Sequence, residues 1–111
     1  IGHAIEVLVG YDRMPHGKAV ALGMIAANRI AVRRDLLEPA GARRIRRLLQ
    51  ELGLPVQHPG LDAGKIREVM MHDKKARGGK LRMILPTRLG AVEIFDDITD
   101  EEVRDAVAAL G

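Results

Sequence analysis

The sequence predicts a mainly α domain, a helical fold with one small β-hairpin near residues 80–95. Three observations lead there. Apolar residues recur at helical spacing over most of the chain. The alternation that marks a strand is confined to "LRMIL" and "AVEIF". Aromatic residues make up only 2% of the sequence, Tyr11 and Phe95, against 47% hydrophobic. The core must therefore be Leu, Ile, Val, Ala and Met, a composition that suits helix-on-helix packing. At 111 residues the chain is long enough for one compact domain and too short for two, so residues 1–111 are read as a single domain.

Each element follows from local pattern. Residues 1–9, "IGHAIEVLV", read as a helix whose beginning lies upstream, and "YDRMP" breaks it. From Gly17 to about Arg34 apolar residues fall at 20, 21, 24, 25, 27, 30 and 31, a wide apolar face typical of a helix buried on most sides. Gly23 inside it costs roughly 1 kcal/mol relative to Ala, which is tolerable where another backbone packs close. "EPAGARRIRRLLQELGLP" is amphipathic, with Ile45, Leu48, Leu49 and Leu52 as the stripe, Gly53 as the C-terminal stop and Pro55 beyond it. "QHPGLDAG" is a loop, and Asp62 is placed to cap a helix over "DAGKIREVMMHDKKA" that ends at Gly78 and Gly79. "KLRMILP" and "AVEIFDD", joined by "TRLG", form the hairpin. "TDEEVRDAVAAL" closes the chain as a helix with a Thr99–Glu102 capping box and with Val103, Val107 and Leu110 facing inward.

Composition excludes several classes of function. There is no cysteine, so disulfides and thiolate metal sites are ruled out. The net charge is a modest +3, with the basic residues gathered in "RRIRR" (43–47) and "HDKKARGGKLR" (72–82). That charge, with no aromatic platforms for stacking bases, argues against nucleic acid as a partner. No apolar run reaches membrane-spanning length. The first residues show no signal-peptide pattern, and the start at Ile1 reads as that of a fragment or processed chain; the expected location is the cytoplasm.

Chemistry can reside in two places. His16 follows Pro15 at the entrance to the second helix, where spare N–H groups and a positive field favour an anion or an aimed side chain. His3 and Glu6 are three residues apart and can share a helical face; with His16 alongside, they would make a polar pocket. Each histidine can equally be an ordinary surface or hydrogen-bonded one, as is expected of His58 in its Pro/Gly loop. Lys74 and Lys75 can hold a phosphate or carboxylate as point charges, or simply complement the helix dipole. The arginines of "RRIRR" surround an apolar stripe and read as a solvated face.

In combination these stretches are more specific. "GHAIE" (2–6), "HGKAVALGM" (16–24), "GLPV" (53–56) and "HDKKARGGKLRMILPTRLG" (72–90), in that order, resemble the C-terminal domain of the 3-dehydroquinate synthase family over nearly the whole chain. The resemblance implies a helical domain that carries much of a metal and substrate site, and a Rossmann-like N-terminal NAD-binding domain that is absent here. The implied reaction of the complete enzyme converts 3-deoxy-D-arabino-heptulosonate 7-phosphate, a small sugar phosphate, to 3-dehydroquinate and phosphate. The implied cofactors are NAD and a divalent metal, zinc or cobalt, and the implied assembly is a homodimer.

By the same resemblance His16 is a metal ligand, His3 lies by the substrate phosphate and helps move protons, and one of Lys74 and Lys75 reaches substrate. Two departures matter. Lys18 stands where the family usually has glutamate. The family's other histidine ligand would fall two residues before Ile1, and its glutamate ligand further upstream. A catalytic zinc needs three protein ligands and an open position, so the chain alone is expected to be inactive and to bind neither cofactor tightly. Two other readings stand beside this one: a domain of another sugar-phosphate cyclase, and a small basic helical binding module.

Overall fold

A computed structural model describes residues 1–10, 12–76, 78–79 and 82–111. The elements are α1 (Gly2–Val9), α2 (His16–Arg33), α3 (Pro39–Glu51), α4 (Ala63–Ala76), β1 (Met83–Arg88), β2 (Ala91–Phe95) and α5 (Asp100–Ala108). The mainly helical expectation with one antiparallel hairpin is met.

The long helix α2 is the centre of the fold and meets α1, α3, α5 and β1. Its buried positions explain why. Ala19, Ala21, Ala26 and Ala31 are small enough for neighbours to come close, while Leu22, Ile25 and Ile30 supply apolar volume between them. The tightest approach is to the start of α1. A Cβ built on Gly23 would stand 3.1 Å from both Cα and N of Gly2, and one on Gly2 would stand 3.0 Å from the Ala19 carbonyl oxygen. The glycine that weakens α2 locally is thus the residue that lets two backbones touch. Helix α4 then packs across α1 and α5, with Ile66 fully buried.

Two details of the expected core are corrected. Val20 and Met24 are each 42% exposed, because they face an open apolar groove between α2 and the hairpin, lined also by Ile84, Leu89 and Val92. The α3 stripe is narrower than its pattern suggests. Leu49 is buried and Ile45 half-buried, but Leu48 and Leu52 are exposed on a flank, since the chief packing of α3 is against one helix, α2. Helix α2 begins at His16, one residue before the expected Gly17.

The terminators work as expected. Gly53 adopts φ +77°, its N–H donates to the Gln50 carbonyl, and the Leu54 N–H donates to that of Leu49. That pair of bonds closes α3 in a Schellman motif. The Asp62 carboxylate accepts the Lys65 N–H at 3.1 Å. In the hairpin Ile84 pairs with Ile94 and Pro86 with Val92, with an irregularity between Pro86 and Arg88. Met83 and Leu85 point inward, whereas Ile84, Val92 and Ile94 form an exposed apolar face. Thr87 and Arg88 belong to β1 rather than to the connection, leaving Leu89 and Gly90 as the turn. The expected start of this strand, Lys80 and Leu81, lies outside the described residues.

Charge fastens α5. Thr99 and Glu102 form the full capping box. The Glu102 carboxylate also accepts from the Arg34 guanidinium, Nη2 to Oε1 at 2.8 Å, while Arg34 Nη1 donates to Asp97 at 2.8 Å. The Arg34 guanidinium lies over the Phe95 ring, 5.6 Å from its centroid. Arg29 adds a second tie, donating from Nε to Asp105 at 2.9 Å. These partners join the C-terminal end of α2, with its C-cap Arg34, to α5 and the segment before it across more than 60 residues of sequence, and local patterns do not announce them.

Hydrogen bonds from Arg34 and Thr99 hold the Glu102 carboxyl down at about 2, from an ordinary value of 4.5. A lowered carboxylate pKa stabilises the fold above about pH 4.5, and that stabilisation is lost as the pH falls towards about 2. Arg34→Met is therefore expected to lower stability near neutral pH by about 1.5–3 kcal/mol. The deficit relative to the parent should shrink steadily on acidification. Urea unfolding of both proteins across that range checks this; a deficit that does not change with pH would contradict it.

Candidate functional site

The connection between α1 and α2 is short and well tied. Gly10, at φ +96°, donates its N–H to the Glu6 carbonyl, and its own carbonyl accepts from Arg13 and Met14. Met14 is 4% exposed and anchors the connection in the core. Pro15 follows with φ −54° and ψ 145°, outside the helical region, and α2 starts at the next residue. Proline before the first turn fixes where the helix begins. His16 is thereby presented at its mouth, with its side chain 77% exposed.

Below it lies Glu6. This residue is buried in α1, with its side chain 7% exposed, and its Oε1 stands 2.8 Å from Nδ1 of His16. An ionised carboxylate only accepts, so Nδ1 carries the proton and donates. In a neutral imidazole so held, the other nitrogen, Nε2, carries the lone pair. Of the pocket expected from His3, Glu6 and His16, the structure brings Glu6 and His16 together.

His3 turns elsewhere. It is exposed, and its Nε2 lies 3.8 Å from Oδ2 of Asp73 on α4. That contact spans the α1–α4 packing and sets His3 beside the end of the helix that bears the lysines. Lys74 is half-buried and Lys75 exposed. Successive residues turn by about 100° around a helix, so Lys74 is the nearer of the two to the Asp73 side. Lys75 lies on another face, in a shallow pocket with Arg67, Glu68, Met71 and His72. The Gly79 N–H donates to the Lys74 carbonyl at 2.8 Å and ends the helix directly behind it. Lys18 is exposed in the first turn of α2. The His58 backbone N–H donates to the Leu110 carbonyl, which ties the loop to the C-terminus.

The sequence reading missed Asp73. The signal available was its place at the head of "DKK", but nothing in a single sequence says that α1 and α4 are neighbours. Among the described residues no group of three or more His, Cys, Asp or Glu side chains is placed to hold a metal ion. Among them, too, no helix is long and apolar enough to cross a membrane.

The family model of the 3-dehydroquinate synthase C-terminal domain matches residues 1–76. The chain is 42% identical to a 3-dehydroquinate synthase of Nostoc sp. strain PCC 7120, over 99% of this chain and 31% of that protein. It is 43% identical to one of Acaryochloris marina, over 99% of this chain and 30% of that protein. The chain thus spans about three tenths of the length of these relatives. Among solved structures, the 2-epi-5-epi-valiolone synthase ValA of Streptomyces hygroscopicus subsp. jinggangensis 5008, with NAD+ and Zn2+ bound, superposes with a TM-score of 0.84 at 30% identity, over 98% of this chain and 31% of that one. On the matched domain and the curated relatives together, the chain belongs to the 3-dehydroquinate synthase family and represents its C-terminal domain.

Proposed function

We propose that residues 1–111 form the metal- and substrate-binding domain of an enzyme that converts 3-deoxy-D-arabino-heptulosonate 7-phosphate to 3-dehydroquinate and phosphate, with NAD and a divalent metal. The family membership supports the reaction, and the NAD+ and Zn2+ bound to ValA support the cofactors. The relatives are about three times as long as the chain, which leaves room for an NAD-binding domain elsewhere in the polypeptide. The apolar face of Ile84, Val92 and Ile94 and the groove beside Val20 and Met24 suit burial against that further chain.

The observation that carries the proposal is His16. Its exposed imidazole, with Nδ1 on a carboxylate, has the donor chemistry of a zinc ligand that coordinates through the other nitrogen. It fits as one ligand, and among the described residues no group of three His, Cys, Asp or Glu side chains completes a set. Bound metal would polarise reacting oxygens, and bound NAD would take up and return a hydride. The remaining roles belong to this chain. His3, 3.8 Å from Asp73, relays a proton near the substrate phosphate. Lys74, on the Asp73 side of α4, grips an anionic group of the substrate.

A second reading has its own support. ValA is named as a 2-epi-5-epi-valiolone synthase, and its likeness to this chain extends over 98% of it. Another cyclised sugar phosphate is therefore the competing substrate class. Comparing turnover of the two substrate types by the complete enzyme separates these readings.

In the complete enzyme His16→Ala should lose metal and activity together, whereas His3→Ala should keep its metal and turn over more slowly. Metal analysis alongside steady-state kinetics reads both; full metal occupancy in His16→Ala would refute the ligand assignment. The lysines give an independent test. Lys74→Met removes a charge and keeps much of the stem, so it should lower kcat/KM by about 10- to 150-fold, the worth of a charge-assisted hydrogen bond of roughly 1.5–3 kcal/mol. Lys75→Met should stay within about twofold of the parent. If the larger loss follows Lys75, or neither variant loses activity, the assignment to Lys74 is wrong.

A further inference from the structure

We propose that Glu6 is the positioning residue of His16: its buried carboxylate accepts a hydrogen bond from Nδ1–H, selects that tautomer and leaves Nε2 facing outward. The inference rests on the reading of His16 as a metal ligand and deepens it.

Three observations carry it. The first is the contrast in burial within one hydrogen-bonded pair. Glu6 is 7% exposed at its side chain and His16 is 77% exposed. A carboxylate taken out of water is costly unless it is paired and hydrogen-bonded. Glu6 sits in α1 directly after the buried Ala4 and Ile5, where an apolar residue would fill the space without that cost. The second is which nitrogen is engaged. The 2.8 Å contact is to Nδ1, so the ring is held from its inner side and the outer nitrogen is unencumbered by the pair. The third is rigidity on both sides of the bond. Glu6 is fixed by the close packing of α1 on α2 at Gly2 and Gly23, and His16 by Pro15 and the start of α2. An exposed histidine would otherwise sample several rotamers and both neutral tautomers. Held in this way, it offers one lone pair in one direction.

A merely structural role, pinning α1 to α2, would place its whole effect in stability. A positioning role shows instead in metal affinity and in the imidazole itself. Outer-shell partners of metal-bound histidines typically carry 10- to 100-fold in metal affinity or activity. The experiment uses the complete enzyme as parent, Glu6→Ala, Glu6→Gln and His16→Ala. It measures zinc dissociation constants by chelator competition, and the 15N signals of His16 in metal-free, histidine-labelled protein. Glu6→Ala should weaken zinc binding by about 10- to 100-fold and shift the His16 signals from the Nδ1–H tautomer towards the mixture of a free imidazole. Glu6→Gln keeps a carbonyl oxygen as acceptor and should fold even where the alanine variant does not, with a smaller loss of affinity and the Nδ1–H tautomer retained. Parental zinc affinity in both Glu6 variants, with zinc lost in His16→Ala, would overturn the inference and leave the ligand reading standing. Parental zinc affinity in His16→Ala would overturn both.

Discussion

The contact between the backbones of Gly2 and Gly23 sets how close α1 lies to α2, and the candidate site depends on that spacing. Helices usually pack 8–10 Å apart, with side chains between them. Here the start of α1 meets α2 with no Cβ on either side of the contact. The rest of α1 is thereby aimed. Glu6, one turn further on, comes under the mouth of α2, and His3 faces across to α4. A larger residue at either glycine would push α1 away and move both pairs at once. The helix propensity given up at Gly23 is small beside the geometry it permits.

The salt bridges and the candidate metal ligand lie at opposite ends of α2. The C-terminal half of that helix is tied to α5 by Arg29 and Arg34, whose carboxylate partners Asp105 and Glu102 are held below their ordinary pKa by those bonds. The N-terminal end carries His16, exposed and bound to a single buried partner. The salt-bridged end can hold the helix in place while the other end keeps a polar, accessible face. Helix α4 repeats the division on a smaller scale, with Ile66 in the core and the Asp73–Lys74 pair at the opposite end, beside His3. The candidate residues thus lie on three helices, α1, α2 and α4, that also contribute to the core.

Much of this was legible in the sequence, for identifiable reasons. Capping and termination are local chemistry, so the Thr99–Glu102 box, the Asp62 cap and the Gly53 stop could be read from a few adjacent residues. The motif around His16 told where α2 begins to within one residue. Burial was less legible, because periodicity shows that an apolar face exists and not what covers it. Val20, Met24, Leu48 and Leu52 fall on helical stripes, yet they lie exposed in this chain. Contacts distant in sequence were the least legible. Glu102 was read as a cap and is also the partner of Arg34, 68 residues away, while Asp73 became part of the site only once α1 and α4 were seen to pack together.

The central claim is that this fold presents one particular nitrogen of His16. A crystal structure of the complete zinc-loaded enzyme tests it most directly. The account predicts zinc about 2.0–2.1 Å from Nε2 of His16, with Nδ1 still hydrogen-bonded to the Glu6 carboxylate. Zinc bound through Nδ1, with Glu6 displaced, or zinc held by ligands that do not include His16, would contradict it.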